Sequence, residues 1–249
     1  WPSAMNHDYR TKVKDLIARV EPTVPDKLAV DGWHRFGGNG WQALAFIPPD
    51  GWPPMPGHGH QDLGSFELHD GHAEVIIDPG RGSYSNAFYA CSAVHSSVTV
   101  DDIAPVHFNH PNYVDAFRHR IIKKAPEFEH TSTGCTLRSH GFSRVRGIGK
   151  FERQWRFKNG EVEILDAVEG SGVHRIGRRF VTSTAVKIKK GAALLSAAGK
   201  QWRLKTDVTP TVKPVTRWTA YGRGQLGNLI TFEQEERLPF YGKTVLERF

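Results

Sequence analysis

Cysteine is nearly absent: the 249 residues contain two, Cys91 and Cys135. Two thiols cannot build a disulfide framework, and no C-x-x-C occurs, which argues against cysteine-based zinc and thioredoxin-like chemistry. Cys is among the most buried residue types, so two buried free thiols are expected, with one Cys91–Cys135 bridge as the alternative. Long apolar runs are missing too. None approaches the ~18 residues that a membrane-spanning helix needs. No charged stretch followed by an apolar one opens the chain, so no secretory leader is expected in it. It starts at Trp1 and its first methionine is Met5, which is compatible with a piece of something longer. Helical periodicity is also scarce. Only DYRTKVKDLIARV, Asp8 to Val20, places apolar residues at i, i+3, i+4 and i+7 (Val13, Leu16, Ile17, Val20) before Pro22 and Pro25 end it.

What is present reads as strands. From about residue 29, runs of five to ten residues alternate with Gly, Pro, Asn and Asp turns. Candidates are Gln42–Ile47, Val94–Val100, Thr136–Arg138, Arg175–Thr182, Trp202–Thr206, Arg217–Tyr221 and Leu229–Glu233; AALLSAAG, Ala192 to Gly199, is ambiguous. Asp70-Gly71 and Asn159-Gly160 sit between apolar runs and suit two-residue type I′ turns, with Lys190-Gly191 a weaker case. Crossover helices are missing, so the expected class is all-β: an antiparallel β-sandwich over residues 29–249, with one short N-terminal helix in a lead-in over 1–28.

Charge is divided unevenly. Residues 1–116 carry 7 Lys/Arg against 14 Asp/Glu, net −7, and nine of the 13 histidines; residues 117–249 carry 26 against 12, net +14. The first half suits a cation and the second an anionic polymer, either nucleic acid or acidic polysaccharide. Zinc-finger spacing, an RNP-like strand and a helix-turn-helix are all lacking, which makes nucleic acid the lesser reading.

The histidines concentrate in MPGHGHQDLGSFELHDGHAEVIIDPGRGSYS, Met55 to Ser85. A regular ladder around Asp70-Gly71 pairs residues whose numbers sum to 141, so Ser65 faces Ile76 and Leu63 faces Asp78. His60 and Asp78 then share the hairpin's open end, three positions out of register. A bend at Gly57, Gly59 or Gly64 would close the gap. Neutral imidazole plus carboxylate suits Zn²⁺. His60 and Asp78 supply two ligands, and His95 in SAVHSSVTV is a natural third, with His58, His69, His72, His107 and His110 as spares. Two other H-x-H patterns fit poorly. Metallo-β-lactamases want a His where Leu63 stands, and cupins want a Glu closer to the second His than Glu67.

The run GHGHQDLGSFELHDGHAEVIIDPGRGSY, followed by AVHSSVTVDD, resembles the signature of the heparinase II/III-like C-terminal domain shared with alginate lyases. That signature has an H-x-D-x-x-S-F-x-L strand, then D-P-G and a Tyr, then an A-H strand; Ser96 replaces its usual Asn. GWHRFGGNGWQALAFIPPDG resembles the strand pair that precedes it. The resemblance covers roughly Asp31 to Asp102. It implies a large antiparallel sandwich packed on an N-terminal α/α toroid, with the active site between them. It implies zinc on His60, Asp78 and His95, mainly structural, with His58 facing the substrate cleft.

The implied reaction is β-elimination on a uronate-containing polysaccharide. His58 is then the candidate acid/base or carboxylate-neutralising group and Tyr84 a weaker cleft candidate. Arg81, Arg118 and Arg120 are candidates for holding the anionic substrate, with Lys123, Lys124, Arg178 and Arg179 as further cations. Trp33, Trp41 and Trp52 are candidates for stacking on sugars or for the core. The toroid that carries the principal Tyr and Asn is not encoded here, so catalysis would need a further domain or chain. The alternative is a non-catalytic, zinc-stabilised carbohydrate-binding or structural domain. Periplasmic or secreted placement in a bacterium follows from the resemblance only.

Overall fold

The computed structural model describes residues 28–51, 59–84, 86–106 and 124–249, together with Lys12, Lys14, Asp15, Ala18 and Arg19. The helix expected over Asp8–Val20 falls largely outside these residues. The strands are β1 (Trp33–Gly38), β2 (Trp41–Phe46), β3 (Glu67–Asp70), β4 (Ala73–Ile76), β5 (Val98–Val100), β6 (Glu127–Thr131), β7 (Gly134–Ser139) and β8 (Ile148–Lys158). They continue with β9 (Glu161–Gly170), β10 (Val173–Thr182), β11 (Ala185–Lys189), β12 (Ala192–Ala197), β13 (Lys200–Lys205), β14 (Thr211–Ala220), β15 (Arg223–Arg237) and β16 (Phe240–Arg248). Three antiparallel sheets result: β1-β2-β3-β4, β14-β15-β10-β5 and the eight-stranded β11-β12-β13-β16-β9-β8-β7-β6. Ala192–Ala197, ambiguous in sequence, is a strand because Leu195 and Ala193 alternate inward into the core. No described helix is long and apolar enough to cross a membrane.

One apolar core joins the three sheets. On β8, Phe151, Arg153, Trp155 and Phe157 point inward, while Glu152, Gln154, Arg156 and Lys158 alternate outward. Trp155 is the hub: its ring lies 5.3 Å from Phe36 of β1 and 5.6 Å from Phe66. Phe66 in turn lies 6.5 Å from Phe180 of β10, which packs 6.1 Å from Phe232 of β15. Such ring pairs add about 0.5–1.5 kcal/mol each beyond area burial. Trp41 is also core, at 2% exposure, so it is no sugar platform. Both cysteines are free; Cys135 is buried and Cys91 half-buried. Burial pushes both thiols up.

The β3–β4 register differs from the expected one. Asp70 pairs with Ala73, so the turn is Gly71-His72, and a bulge follows between Leu68 and His69. Asp70 stays in the strand because its buried carboxylate accepts from Trp202 Nε1 (2.9 Å), Arg248 Nε (2.9 Å) and Lys200 Nζ (3.1 Å). Those contacts tie the first sheet to the third, and Gly71 (φ +61°) takes the left-handed position instead. Asn159-Gly160 does form the β8–β9 turn, with Lys158 opposite Glu161. Both central residues have positive φ at Lys190-Gly191, and likewise at Asn39-Gly40 and Ala198-Gly199.

Part of the basic second half is paired with acids on the eight-stranded sheet. Arg138 bonds Glu129 and Glu152, Lys158 and Lys243 meet Glu163, Lys150 meets Glu169, and Lys205 and Arg203 meet Glu247. Arg178 and Arg179 are buried rather than presented to a ligand. Arg178 binds Asp207, Gln234 and the Lys243 carbonyl.

At the far end of β10, His174 Nδ1 lies 2.7 Å from Asp101 Oδ2, and Nε2 lies 3.1 Å from the Ser171 carbonyl. Two acceptors call for two N–H groups, so the cation is the form that satisfies both. The Asp101 hydrogen bond raises the His174 pKa against partial desolvation. A raised imidazole stabilises fully below its unfolded value of 6.5, and that stability is lost as pH rises through the higher folded value. His174→Gln is therefore expected to be less stable than wild type at mildly acidic pH, with the gap closing in alkali. Urea unfolding across pH reads this, and a pH-independent gap would contradict it.

Candidate metal centre

Asp78 follows β4, where Ile77 N donates to Val181 O of β10 at 2.9 Å. The Asp-Pro-Gly sequence then turns back. Gly80 N donates to Asp78 Oδ1 at 2.8 Å, and Gly80 has φ +66°. One carboxylate oxygen is thus used to fix the turn. The other, Oδ2, lies 2.8 Å from His95 Nδ1.

His95 does not head a strand, because the expected Val94–Val100 run is strand only from Val98. It caps a 3-10 turn over Ser92–Val94, and its ring is 0% exposed. Its Nε2 lies 3.1 Å from the Tyr89 carbonyl. Tyr89 is itself held by its hydroxyl, which accepts from Thr216 N at 2.9 Å, and by an edge contact with Trp218 at 5.5 Å. The carbonyl on Nε2 fixes the ring so that Nδ1 faces Asp78.

His60 arrives from the other side. Gln61 N donates to Ala90 O at 2.8 Å, and Ser65 N to Asp62 O at 2.7 Å. Gly64 (φ +83°) supplies the bend, one of the three glycines that the sequence offered. The His60 ring lies 5.1 Å from that of His95. His60, Asp78 and His95 each offer one ligand atom, all within 4.8 Å of one another. Among the described residues no other such group of three occurs. His69 and His72 stand elsewhere, on β3 and its turn.

Electrostatics follow from burial. Desolvation opposes charge on His95, yet Asp78's charge and hydrogen bond outweigh it and raise the pKa to about 9. Asp78 is held below the usual carboxylate range by the same contact, again against burial. Burial pushes His60 down, toward the neutral imidazole a metal needs. Burial also pushes Asp62 and Glu67 up.

The set fits a borderline-soft divalent cation: two imidazoles and one carboxylate, with room for a further ligand. The Tyr89 carbonyl on His95 Nε2 is the outer partner that a metal-bound histidine ordinarily has. Beside it lies a cavity of about 290 Å³ lined by His60, Asp62, Ser65, Glu67, Asp78, Trp33, Leu44 and Phe46, among others. Trp33 is 44% exposed there and packs 5.0 Å from Phe46.

Arg81 turns inward on its own loop, donating from Nε to Ser83 O and from Nη2 to Tyr84 O. Its guanidinium stands 5.0 Å over the Tyr84 ring. Tyr84 is 56% exposed and faces Tyr221 at 6.2 Å. His58, His107, His110, Trp52, Arg118, Arg120 and Lys123 lie outside the described residues. Asp62 and the Tyr89 carbonyl carried no assigned role in the sequence reading. The H-x-H-x-D string contains Asp62, but a backbone carbonyl leaves no mark in sequence.

A family described as "Heparinase II/III-like, C-terminal" matches residues 22–240. No curated protein matches the sequence. Among solved structures, heparan sulfate lyase HepC from Pedobacter heparinus is similar with a TM-score of 0.68 at 13% identity, over 98% of this chain and 42% of that one. A heparinase III gives 0.66 at 17% identity, over 97% of this chain and 41% of that one. Both likenesses concern the fold. This chain spans about two fifths of their lengths.

Gly80 permits a prediction. A Cβ there would sit 2.9 Å from Trp218 O, on a backbone with positive φ. Gly80→Ala is expected to lower unfolding stability by about 1–3 kcal/mol and to loosen the Asp78 carboxylate that its amide holds. Denaturant unfolding measures the first effect; stability equal to wild type would show that the turn is not constrained as described.

Proposed function

The chain belongs to the heparinase II/III-like C-terminal family, and from that membership we propose that it is the β-sandwich portion of a polysaccharide lyase. Its substrate is an acidic, uronate-containing polysaccharide. It holds zinc through His60, Asp78 and His95. The observation that carries this reading is the convergence of those three side chains within 4.8 Å beside a cavity with an exposed tryptophan. When bound, zinc supplies a cross-link between the His60 loop, the Asp78 turn and the His95 bend, and positive charge at the cleft.

The reaction is β-elimination. A group neutralises the uronate carboxylate, a base takes the C5 proton, the C4–O bond breaks, and an acid protonates the leaving oxygen. His58 is the proposed acid/base or carboxylate-neutralising residue of this chain. Tyr84, exposed on the loop that leaves Asp78, is the weaker candidate. Arg81, Arg118 and Arg120 are proposed to meet the anionic substrate, Arg81 less directly because backbone carbonyls already engage it. The remaining groups come from an α/α toroid, in this polypeptide or a partner. Placement is periplasmic or secreted. The second reading, a zinc-stabilised carbohydrate-binding or structural domain without catalysis, is favoured by the full burial of the His95 ring and by the turn that Asp78 fixes through Gly80 N, which suit a structural ion.

Two measurements test this. Metal analysis of protein purified without chelators is expected to find about one zinc per chain, lost in His60→Ala and His95→Ala. Incubation with heparan sulfate, alginate and other uronate glycans is expected to give ultraviolet-absorbing unsaturated products, or saturable binding if catalysis needs the toroid. Neither elimination nor binding to any uronate glycan would contradict the proposal.

A further inference from the structure

Both loops that carry the histidines rest on one buried side chain. Arg153 projects inward from β8 and is 0% exposed. Its Nε and Nη2 donate to the two carboxylate oxygens of Asp166 on β9, at 2.6 and 3.0 Å. This two-point contact, with Asp166 also fully buried, fixes the plane of the guanidinium. The two hydrogens of Nη1 then point at two separate loops. One goes to Gly64 O at 2.8 Å, in the bend that brings His60 inward. The other goes to Ser96 O at 2.8 Å, one residue after His95. The loops are also stitched to each other above the guanidinium, where Ser96 N donates to Ser65 Oγ at 3.1 Å.

We infer that Arg153 is a positioning residue for the metal centre: a clamp in the core that sets the separation of the His60 and His95 loops. The inference rests on the metal reading above for its consequence, but not for the clamp itself. A lysine cannot replace this arginine, because one ammonium cannot make a two-point contact with Asp166 and reach two carbonyls on opposite loops. A buried ion pair by itself is weak evidence for stability. The two backbone bonds supply the further role, since a guanidinium paired only with Asp166 would leave both loops untouched. No residue in the histidine-rich stretch signals this, and Arg153 lies 58 positions beyond His95 in the chain.

Arg153→Lys tests it on the whole chain with two readouts. The first is hydrogen exchange of the metal-free protein. Faster exchange is expected at Gln61, Ser65 and Ser96, with the β8–β9 ladder amides unchanged. The second is zinc affinity by competition with a chelator, expected to fall about tenfold or more, as for other partners that orient ligands. Arg178→Lys, which removes a buried arginine bonded to neither loop, controls for general destabilisation and is expected to leave zinc affinity within about twofold. Loosening of both loops with weaker zinc binding supports the inference. Exchange and affinity like wild type overturn it, as does equal acceleration across β8, β9 and the loops. If the wild-type chain binds no zinc, the metal reading fails, and exchange alone decides the clamp: selective loosening upholds it and uniform or absent loosening overturns it.

Discussion

The contact between His95 and Asp78 is the constraint on which the site depends. It joins the end of the first sheet to the approach of β5 in the second, where no continuous ladder runs between them. A fully buried imidazole is unfavourable unless both nitrogens find partners. Here one finds the Tyr89 carbonyl and the other a carboxylate that is itself anchored through Gly80 N. Tyr89 and Gly80 are fixed in turn by the β14 strand, through Thr216 N and the close approach of Trp218. The imidazole-carboxylate pair is thus over-determined on every side, as a site built for fixed geometry must be.

The sheets serve that geometry. The eight-stranded sheet supplies Trp155 to the core and Arg153 to the loops. The second sheet supplies Val181, whose amide donates to Ser96 Oγ at 3.0 Å and whose carbonyl accepts from Ile77 N. The His95 bend is therefore bonded to β10 of the second sheet, to Arg153 on β8 of the third, and to Ser65 on the approach to β3 of the first. A cation bound by His60, Asp78 and His95 would cross-link the same junction.

Much of this was legible in the chain. Alternating apolar residues and Gly-centred turns pointed to an antiparallel all-β fold, and the three convergent residues were named from hairpin logic and from the D-P-G and A-H motifs. The register was not legible. It was set by Asp70, whose carboxylate is held by Trp202 and Arg248 more than 130 positions away. Local turn chemistry favoured Asp70-Gly71, and tertiary contacts overruled it. Arg178 and Arg179 were read as surface cations for the same reason: in a strand buried on both faces, nothing local distinguishes an inward arginine from an outward one. His58, Arg118 and Arg120 lie outside the described residues, so the role of His58 rests on the resemblance and those of the two arginines on their charge and clustering in the sequence.

The central claim is that His60, Asp78 and His95 share one metal ion. X-ray absorption at the zinc edge of the zinc-loaded chain tests it most directly. The account predicts nitrogen and oxygen neighbours at about 2.0–2.2 Å, with the outer scattering of two imidazoles and no sulfur. A sulfur shell at about 2.3 Å, or an ion ringed by water oxygens without imidazole scattering, would contradict it.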